Sequence, residues 1–253
     1  MSHQETYLHN EAYAEFLASE DPDFYNKYAE ALCAAQSGAR ILDVGCGVGQ
    51  VVRRLTDRGY EAYGVDVSEP NIVRAGRLSH RCQMYDGRHL PFPDAHFDSA
   101  GAFNVLEHVE EPEAFIRELV RVVQPGGRVV LSSPNFFRVI GFRDYHPKMR
   151  GLANKLRNWR RLREKRRQIK TAPQGVRFDR MTAIVKTPFT PDDDAIVATN
   201  AMEMEFFLRQ FGCHIESVTC TDRRVSWPLD FLLNLTPLRY WMFNAFVVAR
   251  RVR

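Results

Sequence analysis

No run of apolar residues in this 253-residue chain reaches the ~18 that a membrane-spanning helix requires, and no charged-then-apolar leader opens it. Neither a spanning helix nor a signal peptide is expected. Cysteine is scarce: Cys33, Cys46, Cys82, Cys213 and Cys220 are odd in number and contain no C-x-x-C pair. That excludes a disulfide framework and a thiolate zinc site, and fits a reduced, cytoplasmic protein with mostly buried thiols. Internal repeats are also missing. The length suits one α/β domain carrying a long insertion better than two full domains.

Acidic residues are nearly absent from one place. Residues 148–170 hold eleven Lys and Arg against Glu164 alone. This segment carries +10, so the rest of a chain of net charge +4 sums to −6. A mildly acidic body therefore bears one strongly basic element.

What is present is most concentrated at Ile41-Leu42-Asp43-Val44-Gly45-Cys46-Gly47-Val48-Gly49. A buried strand ends in an acid and turns through alternate glycines into a helix opening near Gln50. Glycine permits positive φ there and lets backbone approach a ligand that a β-carbon would displace. Ala62-Tyr63-Gly64-Val65-Asp66 reads as the next strand, with Asp66 at its carboxyl end. An acid about 20 residues beyond a glycine loop is placed to grip a ribose diol. Further along come Cys82–Gly87, a third strand ending in an acid, then Leu90-Pro91-Phe92-Pro93-Asp94-Ala95-His96-Phe97-Asp98 and Phe103-Asn104-Val105-Leu106-Glu107-His108. Leu119–Arg128 and Leu131-Ser132-Ser133-Pro134-Asn135 complete the series.

The dinucleotide fingerprint G-x-G-x-x-G asks for glycine at position 50, where this chain has Gln50. The G-x-G-x-G spacing after Asp43, with the ordered motifs over residues 38–135, resembles the class I S-adenosylmethionine-dependent methyltransferases that act on small molecules. His96 stands where that family usually has a small hydroxyl residue. The resemblance weakens at 200–250 and is essentially absent over 136–199. It implies an α/β fold: a Rossmann-like, doubly wound, seven-stranded sheet, mostly parallel with its seventh strand antiparallel between strands five and six. The expected organisation is a single domain with a helical N-terminal lid (1–37), a cofactor-binding core (38–135), a basic insertion after strand five (136–200), and a C-terminal helix with strands six and seven (201–253).

The same resemblance assigns the site. S-adenosyl-L-methionine is the implied cofactor; it has no phosphate, so an acid beside the loop suits its cationic groups. Gly45, Cys46, Gly47 and Gly49 would face its methionine and ribose portions, Asp43 its ammonium and Asp66 its ribose hydroxyls. Val67 would pack on adenine, with Asp86 and Gly87 or Arg88 serving the ring's polar edge and Asn104 offering its carbonyl to the ammonium. A base for the acceptor is sought first at His108, which reads equally as a core histidine, and then at Tyr145 and His146. Ubiquinone-pathway relatives carry E-x-x-E-H where this chain has Asn104-Val105-Leu106-Glu107-His108; the first acid is lost, and no metal is expected.

The remaining segments leave alternatives open. Tyr7, Tyr13, Phe16, Phe24, Tyr25 and Tyr28 either line a substrate pocket or pack on the sheet, and Asp21-Pro22 reads as a helix start. In the basic segment Leu152, Leu156, Trp159 and Leu162 recur at helical spacing. Such a helix suits an anionic membrane surface, RNA phosphates, an acidic ligand, or a stripe packed on the core. Asp192-Asp193-Asp194 reads as a helix cap. The apolar connector from Trp227 to Leu235 and Tyr240-Trp241 would line a pocket, touch a membrane or pack inside. The expected reaction is methyl transfer to a small or amphipathic acceptor, with peripheral contact at an anionic membrane surface. The rivals are an RNA methyltransferase and a non-enzymatic cofactor-binding module; the Asn-Val-Leu-Glu ending of strand four argues against methylation of base amines.

Overall fold

The computed structural model describes residues 3, 5–33, 38–141, 146–184, 193–223, 225–235 and 237–252. Three short helices come first: α1 (Glu5–Leu8), α2 (Glu11–Ser19) and α3 (Asn26–Leu32). Asn10 caps α2 by accepting from the Tyr13 N–H, and Asp21 caps the 3₁₀ turn Pro22–Tyr25 by accepting from Asp23. The alternating part follows as β1 (Arg40–Val44), α4 (Gln50–Asp57), β2 (Glu61–Asp66), α5 (Glu69–Gly76), β3 (Cys82–Met84), β4 (Phe97–Phe103), α6 (Pro112–Val122) and β5 (Val123–Pro134). Next are α7 (Gly151–Thr171), the short pair β6 (Asp179–Arg180) and β7 (Val197–Ala198), α8 (Ala201–Gln210) and β8 (Cys213–Thr219). The last elements are α9 (Trp227–Leu233), α10 (Leu238–Trp241) and β9 (Asn244–Arg251).

Seven strands form one sheet in the order β3-β2-β1-β4-β5-β9-β8. Pairings from β3 to β5 are parallel, and β9 runs antiparallel to both β5 and β8. This is the doubly wound architecture expected, with the inserted antiparallel strand where the resemblance put it. Burial on both faces explains the near-continuous apolar strands. Alternation distributes them: Leu42, Val129, Leu131, Val247 and Ala249 join α6 and α8, whereas Ile41, Val130, Phe246 and Val248 join α3 and α4.

The basic helix α7 does form, but it buries a different face from the expected stripe. Leu152 is 89% exposed and Leu156 49%, while Asn158, Leu162 and Lys165 are buried. Polar contacts turn the helix. Asn158 Nδ2 donates to the carbonyls of Phe136 (3.2 Å) and Arg138 (3.1 Å), and Lys165 Nζ pairs with Glu203 (2.6 Å) and Asp179 (2.8 Å). Buried charges left unpaired cost more than two exposed leucines do. A small core of Phe136, Phe137, Met149, Leu162, Met181, Ala195 and Ala198 holds the insertion together.

The acids before α8 are not its cap. Asn200 caps that helix by accepting from the Glu203 N–H at 3.0 Å, and Asp193 and Asp194 are buried upstream of it; Asp192 lies outside the described residues. The connector does not pack wholly inside either: Trp227 is 79% and Phe231 62% exposed.

Candidate functional site

Every parallel strand from β1 to β5 ends on the same side of the sheet, where a ligand is accommodated in such folds. There a cavity of about 930 Å³ opens, near the upper end of what small-molecule sites occupy. Its floor is the glycine loop between β1 and α4. Gly45 has φ 73° and no room for a side chain: an added Cβ would stand 2.3 Å from Val105 Cγ2. Gly49 begins α4 at φ 84° and is pressed on Ala75 of α5. It does not line the cavity, so packing, not ligand approach, accounts for that glycine; Gly45, Cys46 and Gly47 do line it.

Asp66 is fixed at the end of β2. One carboxylate oxygen accepts from Gly47 N–H at 2.8 Å; the other accepts from Ser68 N–H at 2.9 Å and Asn71 Nδ2 at 3.3 Å. Burial raises its pKa, and the N–H groups of Ser68 and Gly47 work against that rise. Asp43 accepts from the phenol of fully buried Tyr28 at 2.8 Å. Burial pushes this carboxyl up to about 7; Tyr28 opposes the rise and Asp66 adds to it. Val67, Gly87 and Asn104 also line the cavity, the last in a left-handed conformation at φ 54°.

Asp86 departs from its expected place. It is exposed, lies outside the lining, and spends its carboxylate on the N–H groups of Arg88 (2.8 Å) and His89 (2.7 Å), closing a turn. The Arg88 N–H is thereby engaged as well. His146 is buried edge-on against Phe136 and also lies outside the lining. Tyr145 is not among the described residues.

His108 does face the cavity, and with it comes a group that the sequence left scattered. The Tyr7 hydroxyl of α1 donates to Asp194 Oδ2 and stands 3.1 Å from His108 Nδ1. Asp194 Oδ2 is 3.8 Å from the same ring nitrogen. Because the phenol O–H is directed at Asp194, the Tyr7 oxygen is free to accept from Nδ1–H, the tautomer that leaves the lone pair on Nε2. Glu107 Oε1 lies 3.8 Å from that Nε2, and Glu107 Oε2 accepts from Ser133 Oγ at 2.8 Å. Burial lowers the His108 pKa, Asp194 opposes this and His3 reinforces it, so the imidazole is neutral at pH 7. Among the described residues there is no cluster of three or more acids, histidines or cysteines able to hold a metal ion.

The upper wall is apolar. Phe16, Phe24 and Tyr25 contribute from the N-terminal segment, Phe103 from the sheet, and Val225, Leu229 and Leu233 from the segment of α9. The N-terminal aromatics therefore line the pocket, and part of the connector does too.

Three comparisons bear on this geometry. Residues 42–131 match the methyltransferase domain family. The ubiquinone biosynthesis O-methyltransferase of Dechloromonas aromatica (strain RCB) is 36% identical over 118 residues, covering 42% of this chain and 51% of the relative. The 27-O-demethylrifamycin SV methyltransferase of Amycolatopsis mediterranei (strain S699) is 33% identical over 106 residues, covering 38% and 39%. The chain thus spans about half the length, or less, of the curated relatives it matches. Among solved structures, an S-adenosylmethionine dependent methyltransferase from Mesorhizobium loti superimposes with a TM-score of 0.59 at 20% identity, over 90% of this chain and 98% of that one. That likeness concerns the fold.

Proposed function

We propose that this chain, which carries a class I, S-adenosylmethionine-dependent methyltransferase domain, transfers a methyl group to the hydroxyl oxygen of a small acceptor with an apolar portion. The residues fit the cofactor. Gln50 Oε1 and Asn104 Oδ1 are buried in the cavity lining without a partner among the described residues, two acceptors suited to a cationic ligand. Asp66 would take the ribose hydroxyls, Asp43 the ammonium end, and Val67 the adenine face. When bound, S-adenosylmethionine supplies the activated methyl group.

The chain's own work is to seat the acceptor and receive its proton. The observation that carries the reading is one cavity holding the Asp43–Asp66 loop, a neutral His108 braced by Tyr7 and Asp194, and an apolar wall. Such a histidine takes a proton from a weakly acidic hydroxyl at Nε2, while Asp194 stabilises the resulting cation through Tyr7 and Nδ1. The aromatic wall excludes water and holds an apolar body in line. The named acceptors of the relatives are small molecules, which favours this class over RNA.

The test has two parts. S-adenosylhomocysteine should raise the melting temperature where NAD at equal concentration does not. Label from methyl-tritiated S-adenosylmethionine should then pass to a hydroquinone bearing a prenyl tail in preference to hydroquinone itself, and His108→Ala should slow that transfer about 100-fold while leaving S-adenosylhomocysteine affinity intact. Stabilisation by NAD alone would overturn the cofactor, and equal labelling of both probes the apolar acceptor.

A further inference from the structure

Gly64 sits in the middle of β2, an inner strand of the sheet, where a glycine weakens pairing and needs a reason. The reason is a thiol. An added Cβ at Gly64 would stand 2.7 Å from Cys46 Sγ and 2.9 Å from Cys46 Cβ. Cys46, the residue between Gly45 and Gly47, thus folds its side chain back over β2. Across the next pairing, Gly64 is in register with Cys82 of β3. Register partners in parallel strands point to the same face, so Cys82 comes over Gly64 from the other side. The two side chains thus lie over Gly64 from either side, in the same apolar cluster. Cys46 is buried at the cavity floor and Cys82 is only half-buried, packed at the edge of the same apolar cluster.

We propose that Cys46 and Cys82 form an oxidative modification site, in which a peroxide closes a disulfide over Gly64 and distorts the glycine loop that cradles the cofactor. Cys82 is the thiol that peroxide reaches. Its sulfur attacks one peroxide oxygen, the O–O bond breaks, and Cys82 becomes a sulfenic acid as water leaves. The Cys46 sulfur then displaces the sulfenic hydroxyl, the S–S bond forms and a second water departs with the Cys46 proton. Two thiols are oxidised and one peroxide is reduced to two waters. The neighbouring Cys46 sulfur lowers the Cys82 thiol against the effect of burial, which suits Cys82 as the first to react.

Closure acts on the site through the backbone. A disulfide draws its two sulfurs to bonding distance. Cys82 is held by its ladder to β2 and Cys46 by its N–H on the Val65 carbonyl at 3.0 Å, so closing the bond strains the glycine loop around Cys46. Gly47, the next residue, then draws its N–H away from Asp66 Oδ2, which it holds at 2.8 Å. The loss of binding that follows rests on the methyltransferase reading; the cross-link does not.

The full chain is treated with hydrogen peroxide, denatured, alkylated and weighed, and a second portion is titrated with S-adenosylhomocysteine. Alkylatable thiols should fall from five to three, with Cys46 and Cys82 peptides linked and affinity reduced at least tenfold, both reversed by dithiothreitol. Cys82→Ser should bind as the reduced wild type does and keep its affinity in peroxide. Five thiols after treatment, linkage of a different pair, or a Cys46–Cys82 bond that leaves affinity unchanged would each overturn the proposal. If neither reduced nor oxidised protein binds S-adenosylhomocysteine but the linkage forms, the failure belongs to the cofactor reading instead.

Discussion

With Asp43 at the cofactor's cationic end, as proposed, cofactor binding becomes a proton-linked event. The Asp43 carboxyl is buried, is pushed up to about 7 by that burial, and lines the cavity. Only the carboxylate complements a cationic ligand. At pH 8 about nine-tenths of the empty protein carries it and at pH 6 about one-tenth, so affinity for S-adenosylhomocysteine should fall about tenfold between them, or ~1.4 kcal/mol. Near pH 7 binding should expel about half a proton. Titration calorimetry in phosphate and in Tris, whose ionisation enthalpies differ, reads that proton directly. Tyr28→Phe removes the bond that favours the charged form, so the midpoint should move upward and the affinity lost at pH 7 return above pH 8. Asp43→Asn should flatten the profile. The empty protein has the opposite dependence. A carboxyl whose folded pKa stands above its unfolded value stabilises most when protonated, so its contribution is full below pH 4 and lost by about pH 7, on the order of 4 kcal/mol at most. Cofactor should therefore raise the melting temperature more at pH 8 than at pH 6. Identical heats in both buffers together with a flat affinity from pH 6 to 8 would refute this reasoning.

Asp66→Ala should weaken S-adenosylhomocysteine binding by roughly 10- to 100-fold in calorimetry, since a charged acceptor is lost from two hydroxyls. Lys165→Met should destabilise the protein by about 3–5 kcal/mol in urea at pH 8, because Glu203 is left buried without its cation. The penalty should shrink at pH 5.5, where Glu203, already raised by burial to about 7, takes up a proton. Replacing exposed Leu152 and Leu156 by Ser, or reversing Arg160 and Arg166 to Glu, should lower cosedimentation with anionic vesicles if α7 meets a membrane surface; unchanged cosedimentation leaves it a solvated face.

The part of this protein legible in its sequence is the part built by local rules. The run from Ile41 to Gly49 fixes a strand, a turn and a helix start within nine residues, and Asp66 follows at the spacing one βαβ unit imposes. Contacts between distant segments left no such mark. Asp194 reads as a cap because three acids before a helix usually are one; nothing in its neighbourhood tells that Tyr7 and His108, 187 and 86 positions away, will meet it. Asp86 fails for the converse reason: strand β3 stops two residues short, and a free carboxylate beside two N–H groups closes a turn. On α7 the apolar spacing pointed to Leu152 and Leu156, whereas Asn158 and Lys165 decided the buried face. Their partners, the Phe136 carbonyl and Glu203, are 22 and 38 residues off.

The antiparallel strand β9 has a consequence for how the chain must be made. It lies between β5 and β8, yet it begins at Asn244, 110 residues after β5 ends at Pro134. As the nascent chain emerges, β1 to β5 and the glycine loop can assemble while the outer edge of β5, with Val129, Val130 and Leu131, has no neighbour. Strand β8 arrives earlier than β9 but cannot dock without it. The growing polypeptide therefore carries an open, apolar sheet edge until synthesis has passed residue 251, the state most prone to pair with another chain. Once β5 has emerged and until β9 does, a stalled ribosome holds a species with the glycine loop formed and the sheet unsealed, so β9 sets when this domain becomes safe to release.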